Sequence, residues 1–309
     1  VQSNFDSGAN LSYEYRQIAA RIDDYVRQYI GVPNLILVSI YKLNWIMSYS
    51  QLDHVVNVVH TAVSQQFAKE LTEQPAQITA HLQKVYGAHP LSCVSQGAKE
   101  DLQSLIGDIT PMTTIYNPCD ATAIQKAAQE DIELAQWGLA TKQYLIQVAS
   151  FAPMKAHRDL LTAYAQTDQI LPLVLVGKGK LENEMKQLAI QLGLKDQVQF
   201  LGYQSNPYPL IKHASLMVMT SRFEGFGYVI VEAQALGIPV ISTDCPFGPR
   251  ELLPKHCLVA AGDIKGLKQL LQSAMQAPND YHSSFNQQLL PDRIAQQYLD
   301  FAQSIFLQP

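Results

Sequence analysis

TSRFEGFGYVIVEAQALGIPVISTD, residues 220–244, carries the pattern around which the chain is organised. It continues from SLMVMT (215–220), an apolar run bounded by polar residues, which reads as a buried parallel strand. Glu224-Gly225-Phe226-Gly227 follows, where two glycines remove Cβ atoms from a turn whose backbone must come close to something. From Tyr228 the spacing is helical, with Val229, Ile230, Ala233 and Leu236 on one side and Gly237 and Pro239 as the stop. IPVIST (238–243) is the next strand. A glycine turn at the carboxyl end of a strand that opens a helix presents N–H groups and a helix dipole that favour phosphate. Glu224 precedes the turn and Glu232 stands eight positions later. A carboxylate beside a phosphate cradle would repel the phosphate, so both acids are read as acceptors for hydroxyls of a sugar or ribose.

Working outward, the rest of the chain alternates strand and helix, which predicts an α/β protein of two Rossmann-like domains. Residues 1–10 read as a polar lead-in. A helix is expected over 11–30, with Ile18, Ile22, Tyr25, Val26 and Tyr29 on its apolar face and Gly31 and Pro33 ending it. LILVSI (35–40) reads as a strong buried strand, followed by VVNVVH (55–60), LSCVS (91–95) and MTTIY (112–116). Asn117-Pro118 reads as the turn between domains, giving a first domain over 1–118 and a second over 119–290. An Ala- and Gln-rich helix over about 120–134 opens the second domain. YLIQVAS, LPLVLVG, QVQFLG and SLMVMT are its strands, Asp263 is a helix cap, and a final helix covers 291–309.

E-G-F-G-x-x-x-x-E-A followed by G-I-P-V-I-S-T-D resembles the nucleotide-sugar half of the family-4 retaining glycosyltransferases, which have the two-domain GT-B fold. The likeness runs from about residue 144 to 263 and more weakly back to about 35. It implies two Rossmann-like domains facing across a cleft, with the final helix crossing back to the first. The first domain is expected to lack the initial strand and glycine loop with which such domains begin. The resemblance places Glu224 on the hydroxyls of a donor sugar and Glu232 on the ribose. It places the N–H groups of Gly225, Phe226 and Gly227 around the diphosphate, with Tyr228 next to them. Lys155 matches the family's diphosphate lysine, while Ala149-Ser150 stands where a glycine-arginine pair is usual; Arg158 or Lys178 is a substitute outside the pattern. Gly177, in Gly177-Lys178-Gly179, and Tyr203 fall where members of the family hold the nucleoside. His60, after a first-domain strand, stands where a histidine contacts the donor or assists catalysis.

The implied activity is a retaining transfer of a hexose or N-acetylhexosamine from a nucleoside-diphosphate sugar, expected to be a UDP-sugar. The acceptor would be a glycan or a lipid-linked molecule in bacterial surface-polysaccharide synthesis. The donor phosphate itself would help take the acceptor's proton, with no cofactor. No D-x-D or histidine–carboxylate cluster suggests a metal. A scaffold that binds nucleotide sugars without catalysis remains an alternative, as does another GT-B enzyme such as a sugar-nucleotide epimerase. Four scattered cysteines without C-x-x-C fit a reducing compartment. A net charge of −5 does not advertise nucleic acid as a partner. Residues 1–120 hold seven Lys/Arg against eleven Asp/Glu, so peripheral membrane contact is expected to be weak and the location cytoplasmic. Arg250 and Glu251 either pair to fix their loop or contact the ligand, and the sequence favours neither.

Overall fold

The computed structural model describes residues 9–306. The chain divides into two compact units: residues up to Asn117 together with those from Asp292, and Pro118–Pro291. The lead-in over residues 1–8 lies outside the described residues.

In the first unit, helix α1 (Ala9–Tyr25) runs on as a wider turn over Val26–Ile30 and stops at Gly31, whose φ of 87° suits glycine. Strand β1 (Ile36–Ser39), helix α2 (Tyr41–Met47) and strand β2 (Val55–Val59) follow. Helices α3 (Val63–Gln66), α4 (Ala68–Glu73) and α5 (Pro75–Tyr86) lead to β3 (Leu91–Cys93), α6 (Gln96–Ile106) and β4 (Met112–Thr114). The four strands are parallel in the order β1-β2-β3-β4. Two expectations are corrected here. LILVSI is an edge strand, with Leu37 45% exposed, because among the described residues only β2 pairs with it. The buried stripe of α1 is Tyr15, Ala19, Asp23 and Val26, so Tyr25 and Tyr29 are exposed and pack on each other instead, ring centroids 5.0 Å apart. Asp23 sits on that stripe because its carboxylate accepts from Ser50 Oγ at 2.6 Å and from the Gln51 N–H at 2.7 Å. A charge so buried is tolerated only with such partners.

The second unit begins with α7 (Ala121–Ala127), capped by Asp120, whose Oδ1 accepts the Ala123 N–H at 2.9 Å. The helix expected to reach residue 134 ends early. Its last carbonyls are taken by side chains from elsewhere, Ala127 O by Asn206 Nδ2 at 2.9 Å and Ala128 O by Lys212 Nζ at 3.4 Å. Such side-chain partners replace the next helical turn. Strands β5 (Leu145–Val148), β6 (Leu173–Val176) and β7 (Val198–Gly202) alternate with α8 (His157–Tyr164) and α9 (Glu182–Gln191). Then come α10 (Tyr208–His213), β8 (Leu216–Met219), α11 (Tyr228–Ala235), β9 (Val240–Asp244), α12 (Pro249–Leu252), β10 (Leu258–Ala260) and α13 (Ile264–Gln276). As the sequence predicts, Asp263 caps α13 by accepting the Gly266 N–H at 2.9 Å. Helix α14 (Pro291–Phe306) belongs to the first unit from Asp292 onward, where Tyr298 Oη accepts from Ser92 Oγ at 3.3 Å.

The six strands of the second unit are parallel in the order β10-β9-β8-β5-β6-β7. Alternate residues face opposite layers, as the strand period requires. Leu145, Leu173, Leu175, Leu216 and Val218 meet α8, α9 and α13, while Ile146, Val174, Val176, Met217 and Met219 meet α10 and α11. The chain order runs outward in one direction from β5 and in the other from β8. The crevice outside the carboxyl ends of β5 and β8 is therefore the topological switch point, where sheets of this kind take ligands.

Asp23→Ala should destabilise the first unit by roughly 2–3 kcal/mol, since two buried donors lose their acceptor. Urea denaturation checks this, and a change below about 0.5 kcal/mol would refute the bonding role given to Asp23.

Candidate functional site

The loops after β5 and β8 meet at the switch point. Thr220, which ends the β8 run, is buried at 1% exposure, with its hydroxyl 3.0 Å from both Gln147 Oε1 and the Lys155 carbonyl. Two residues on, the Arg222 N–H donates to Met154 O at 2.7 Å. These bonds hold a short helical turn, Pro153–Lys155, against the start of the Glu224 loop. Lys155 Nζ reaches Glu224 Oε1 at 2.6 Å, with the two side chains 23% and 15% exposed. Ser221 Oγ donates to the same oxygen at 2.5 Å. The sequence analysis does not single out Ser221; its spacing of three from the glutamate is the one signal that could have done so. A partly buried ion pair with an added hydroxyl donor is stronger than a surface pair, because less water screens it.

The glycine turn is clamped from behind. The Glu224 N–H donates to Pro246 O at 2.8 Å, and the Phe247 N–H donates back to Glu224 O at 3.1 Å. Gly248 (φ 98°) lies so close to Phe226 that any Cβ there would collide with the Phe226 carbonyl. Phe226 turns its ring inward (3% exposed), edge-on to Tyr228 at 5.5 Å between centroids. Gly227, at φ 97°, is the cap of α11. Glu232 lies in the second turn of α11, and Tyr208 Oη donates to its Oε1 at 3.2 Å. Burial raises the pKa of Glu232, and the Tyr208 hydrogen bond partly offsets that rise.

The Gly177-Lys178-Gly179 turn lies backbone-on-backbone against residues 149–151. A side chain at Gly177 would strike the Ala149 carbonyl, one at Gly179 would strike the Phe151 backbone, and the Phe151 N–H donates to Lys178 O at 3.1 Å. Gly177 N–H donates to Gly202 O at 2.8 Å, which brings the end of β7 alongside. Tyr203, next in sequence, is 63% exposed, and Lys178 Nζ stands 4.8 Å from its ring centroid.

Other cations near these loops are engaged. Arg222 Nη2 is 2.5 Å from Asp159 Oδ2, close enough for an ion pair although not aligned as a hydrogen bond. Arg158 pairs with Glu184 at 2.5 Å. Arg250 forms a two-pronged pair with Asp244, both contacts at 3.0 Å. His157, one residue past the Pro153–Lys155 turn, is 3% exposed and stacked on Phe151 at 4.3 Å. Burial, then the charge of Lys155, lowers its pKa to about 4. Cys93, Cys119, Cys245 and Cys257 are buried and unbridged. Among the described residues no three His, Cys, Asp or Glu side chains gather as metal ligands. No helix among them is long and apolar enough to cross a membrane.

The second unit thus brings together Lys155, Glu224, the turn at 225–227, Tyr228 and Glu232, with Gly177 and Tyr203 on the adjoining loops. His60 lies on the first unit, exposed at the end of β2, its Nε2 3.3 Å from Ser39 Oγ.

A sequence model of the glycosyl transferases group 1 family matches residues 129–288, just over half of the chain. The chain belongs to that family. An N-acetylgalactosamine-N,N'-diacetylbacillosaminyl-diphospho-undecaprenol 4-alpha-N-acetylgalactosaminyltransferase of Campylobacter jejuni is 33% identical over 159 residues, 51% of this chain and 42% of its own length. A lipopolysaccharide 1,6-galactosyltransferase of Salmonella typhimurium is 27% identical over 164 residues, 52% of this chain and 44% of its own length. The matches thus span less than half the length of these relatives. Among solved structures, Anabaena HepE in complex with UDP and glucose superposes with a TM-score of 0.71 at 20% identity, over 98% of this chain and 80% of that one. Sucrose-phosphate synthase of Thermosynechococcus elongatus does so with a TM-score of 0.71 at 18% identity, over 98% and 76%. At such identities the likeness is one of fold, two Rossmann-like domains of GT-B type.

Because the folded-state pKa of His157 is depressed, its unfolded form binds a proton first. Stability should therefore fall as pH drops from about 6.5 towards 4, by on the order of 1–3 kcal/mol. Urea unfolding of wild type and His157→Phe, which keeps the stack on Phe151, checks this. The variant should lose that part of the pH slope, and an identical slope would rule His157 out as its source.

Proposed function

We propose that this chain works as a retaining, metal-independent glycosyltransferase of the family-4 type. It would move a hexose or N-acetylhexosamine from a nucleoside-diphosphate sugar, first of all a UDP-sugar, to a glycan or lipid-linked acceptor in bacterial surface-polysaccharide assembly. The observation that carries this reading is the meeting of Lys155 and Glu224 at the switch point, beside a glycine turn that opens the helix bearing Glu232. The activities of the two named relatives, transfers of N-acetylgalactosamine and of galactose, support the sugar class. The complex of HepE with UDP and glucose supports the donor class.

In this reading Glu232 accepts the ribose hydroxyls, and the backbone of Gly225, Phe226 and Gly227 faces the diphosphate at the start of α11. Gly177 and Tyr203 line the nucleoside, and Tyr228 flanks the phosphates. Lys155 offsets the negative charge that grows on the departing diphosphate, and Glu224 orients the donor sugar through its hydroxyls. The acceptor hydroxyl attacks from the face the diphosphate leaves, and a phosphate oxygen takes its proton, so the new bond keeps the donor's anomeric configuration. His60 is assigned the role of contacting the donor or assisting catalysis. The protein supplies positioning and charge, needing neither a nucleophilic side chain nor a bound ion.

Calorimetry against UDP, GDP and ADP with a chelator present tests the site. UDP should bind, and Glu232→Ala and Lys155→Ala should each weaken it roughly 10- to 100-fold. No binding by any of the three would sink the reading. Binding without release of sugar from UDP-glucose, UDP-galactose or their N-acetyl forms would favour a non-catalytic scaffold.

A further inference from the structure

Tyr208 is half-buried at the first position of α10, and nothing in the sequence pattern marks it. Its place is fixed from two sides. Its N–H donates to Asn206 Oδ1 at 3.2 Å, a turn that the asparagine side chain closes on its own backbone. The amide nitrogen of Asn206 is in turn anchored on the end of α7, donating to Ala127 O at 2.9 Å and to Glu130 Oε2 at 2.7 Å. The ring packs on the core layer formed with α10 and α11. This scaffold delivers the hydroxyl to Glu232 Oε1 at 3.2 Å. Among the described residues Glu232 has no other hydrogen-bond partner, so Oε2 is unclaimed.

We propose that Tyr208 is a positioning residue of the nucleotide site, holding the Glu232 carboxylate by one oxygen so that the other receives the paired hydroxyls of a ribose. This rests on the assignment of Glu232 proposed above. A glutamate on a partly exposed helix face samples several rotamers, and each is lost on binding unless something has already selected one. The tyrosine makes that selection within the fold. It is fitted to the task because burial, then the neighbouring Glu232 charge, pushes its own pKa to about 12, so it stays a donor at neutral pH. Another titratable group close to Glu232 is the Cys119 thiol, also pushed up to about 12 by burial and then by Glu232, hence neutral. Around a carboxylate whose pKa is raised by burial, Tyr208 is thus the group that favours the charged form.

Calorimetry of UDP and of 2′-deoxyuridine diphosphate between pH 5 and 8, with wild type, Tyr208→Phe and Glu232→Ala, tests this. Tyr208→Phe should bind UDP roughly tenfold more weakly at pH 7. Its preference for UDP over the deoxy compound should shrink, and its loss of affinity in acid should begin at a higher pH. An unchanged preference and an unchanged acid midpoint, even with a lower melting temperature, would overturn the proposal. If Glu232→Ala still weakened binding by the roughly 10- to 100-fold expected above in that case, the nucleotide reading would stand. Wild type that fails to bind UDP would overturn both. Should Tyr208→Phe not fold, Asn206→Ala should move the same two readouts in the same direction by a smaller amount, and no movement would again refute the role.

Discussion

Main chain pressed directly on main chain is the constraint on which the second unit depends. At the carboxyl edge of its sheet the loops after β5, β6, β8 and β9 share one small region. Gly177 and Gly179 rest on residues 149–151, and Gly248 rests on Phe226. Each contact is possible only without a Cβ, and Gly177 and Gly248 also have positive φ, which glycine adopts without strain. The spacing of these loops therefore comes from backbone dimensions rather than from side-chain packing. Lys155, Glu224 and Glu232 inherit their positions from it.

Much of this was legible in the sequence, because buried parallel strands are short apolar runs and glycines mark close turns. The four strands read in 35–116 occupy the places assigned, as does the strand–turn–helix–strand run of 215–244. What failed were features that depend on partners far along the chain. Helix α7 was read too long because Asn206 and Lys212, about eighty positions away, take its terminal carbonyls. Tyr25 and Tyr29 share the helical spacing of the apolar residues of α1, and spacing alone does not say which of them a neighbouring element covers. The sequence left Arg250 open between Glu251 and a ligand, and Asp244 at the end of β9 offers the two-pronged geometry a guanidinium prefers. Ser221 and Tyr208 touch the acids at 224 and 232, yet a serine three residues before its glutamate and a tyrosine opening a short helix are weak signals on their own.

Charge in the second unit is also allotted by geometry. Arg158 and Arg222 are held by Glu184 and Asp159, and Lys155 by Glu224. Lys178, between two glycines that fix its backbone, rests over the Tyr203 ring, an attraction weaker than an ion pair to a carboxylate. Of the four, it is the cation with no carboxylate to leave.

The Lys155–Glu224 pair has a consequence for how this edge of the sheet meets ions in solution. A cation already matched by a carboxylate 2.6 Å away gathers few mobile anions of its own. An arriving anion therefore displaces little salt and instead redistributes a bond that exists. Its attraction should be short-ranged and vary only gently with ionic strength, unlike that of an open basic surface, whose reach contracts with the Debye length.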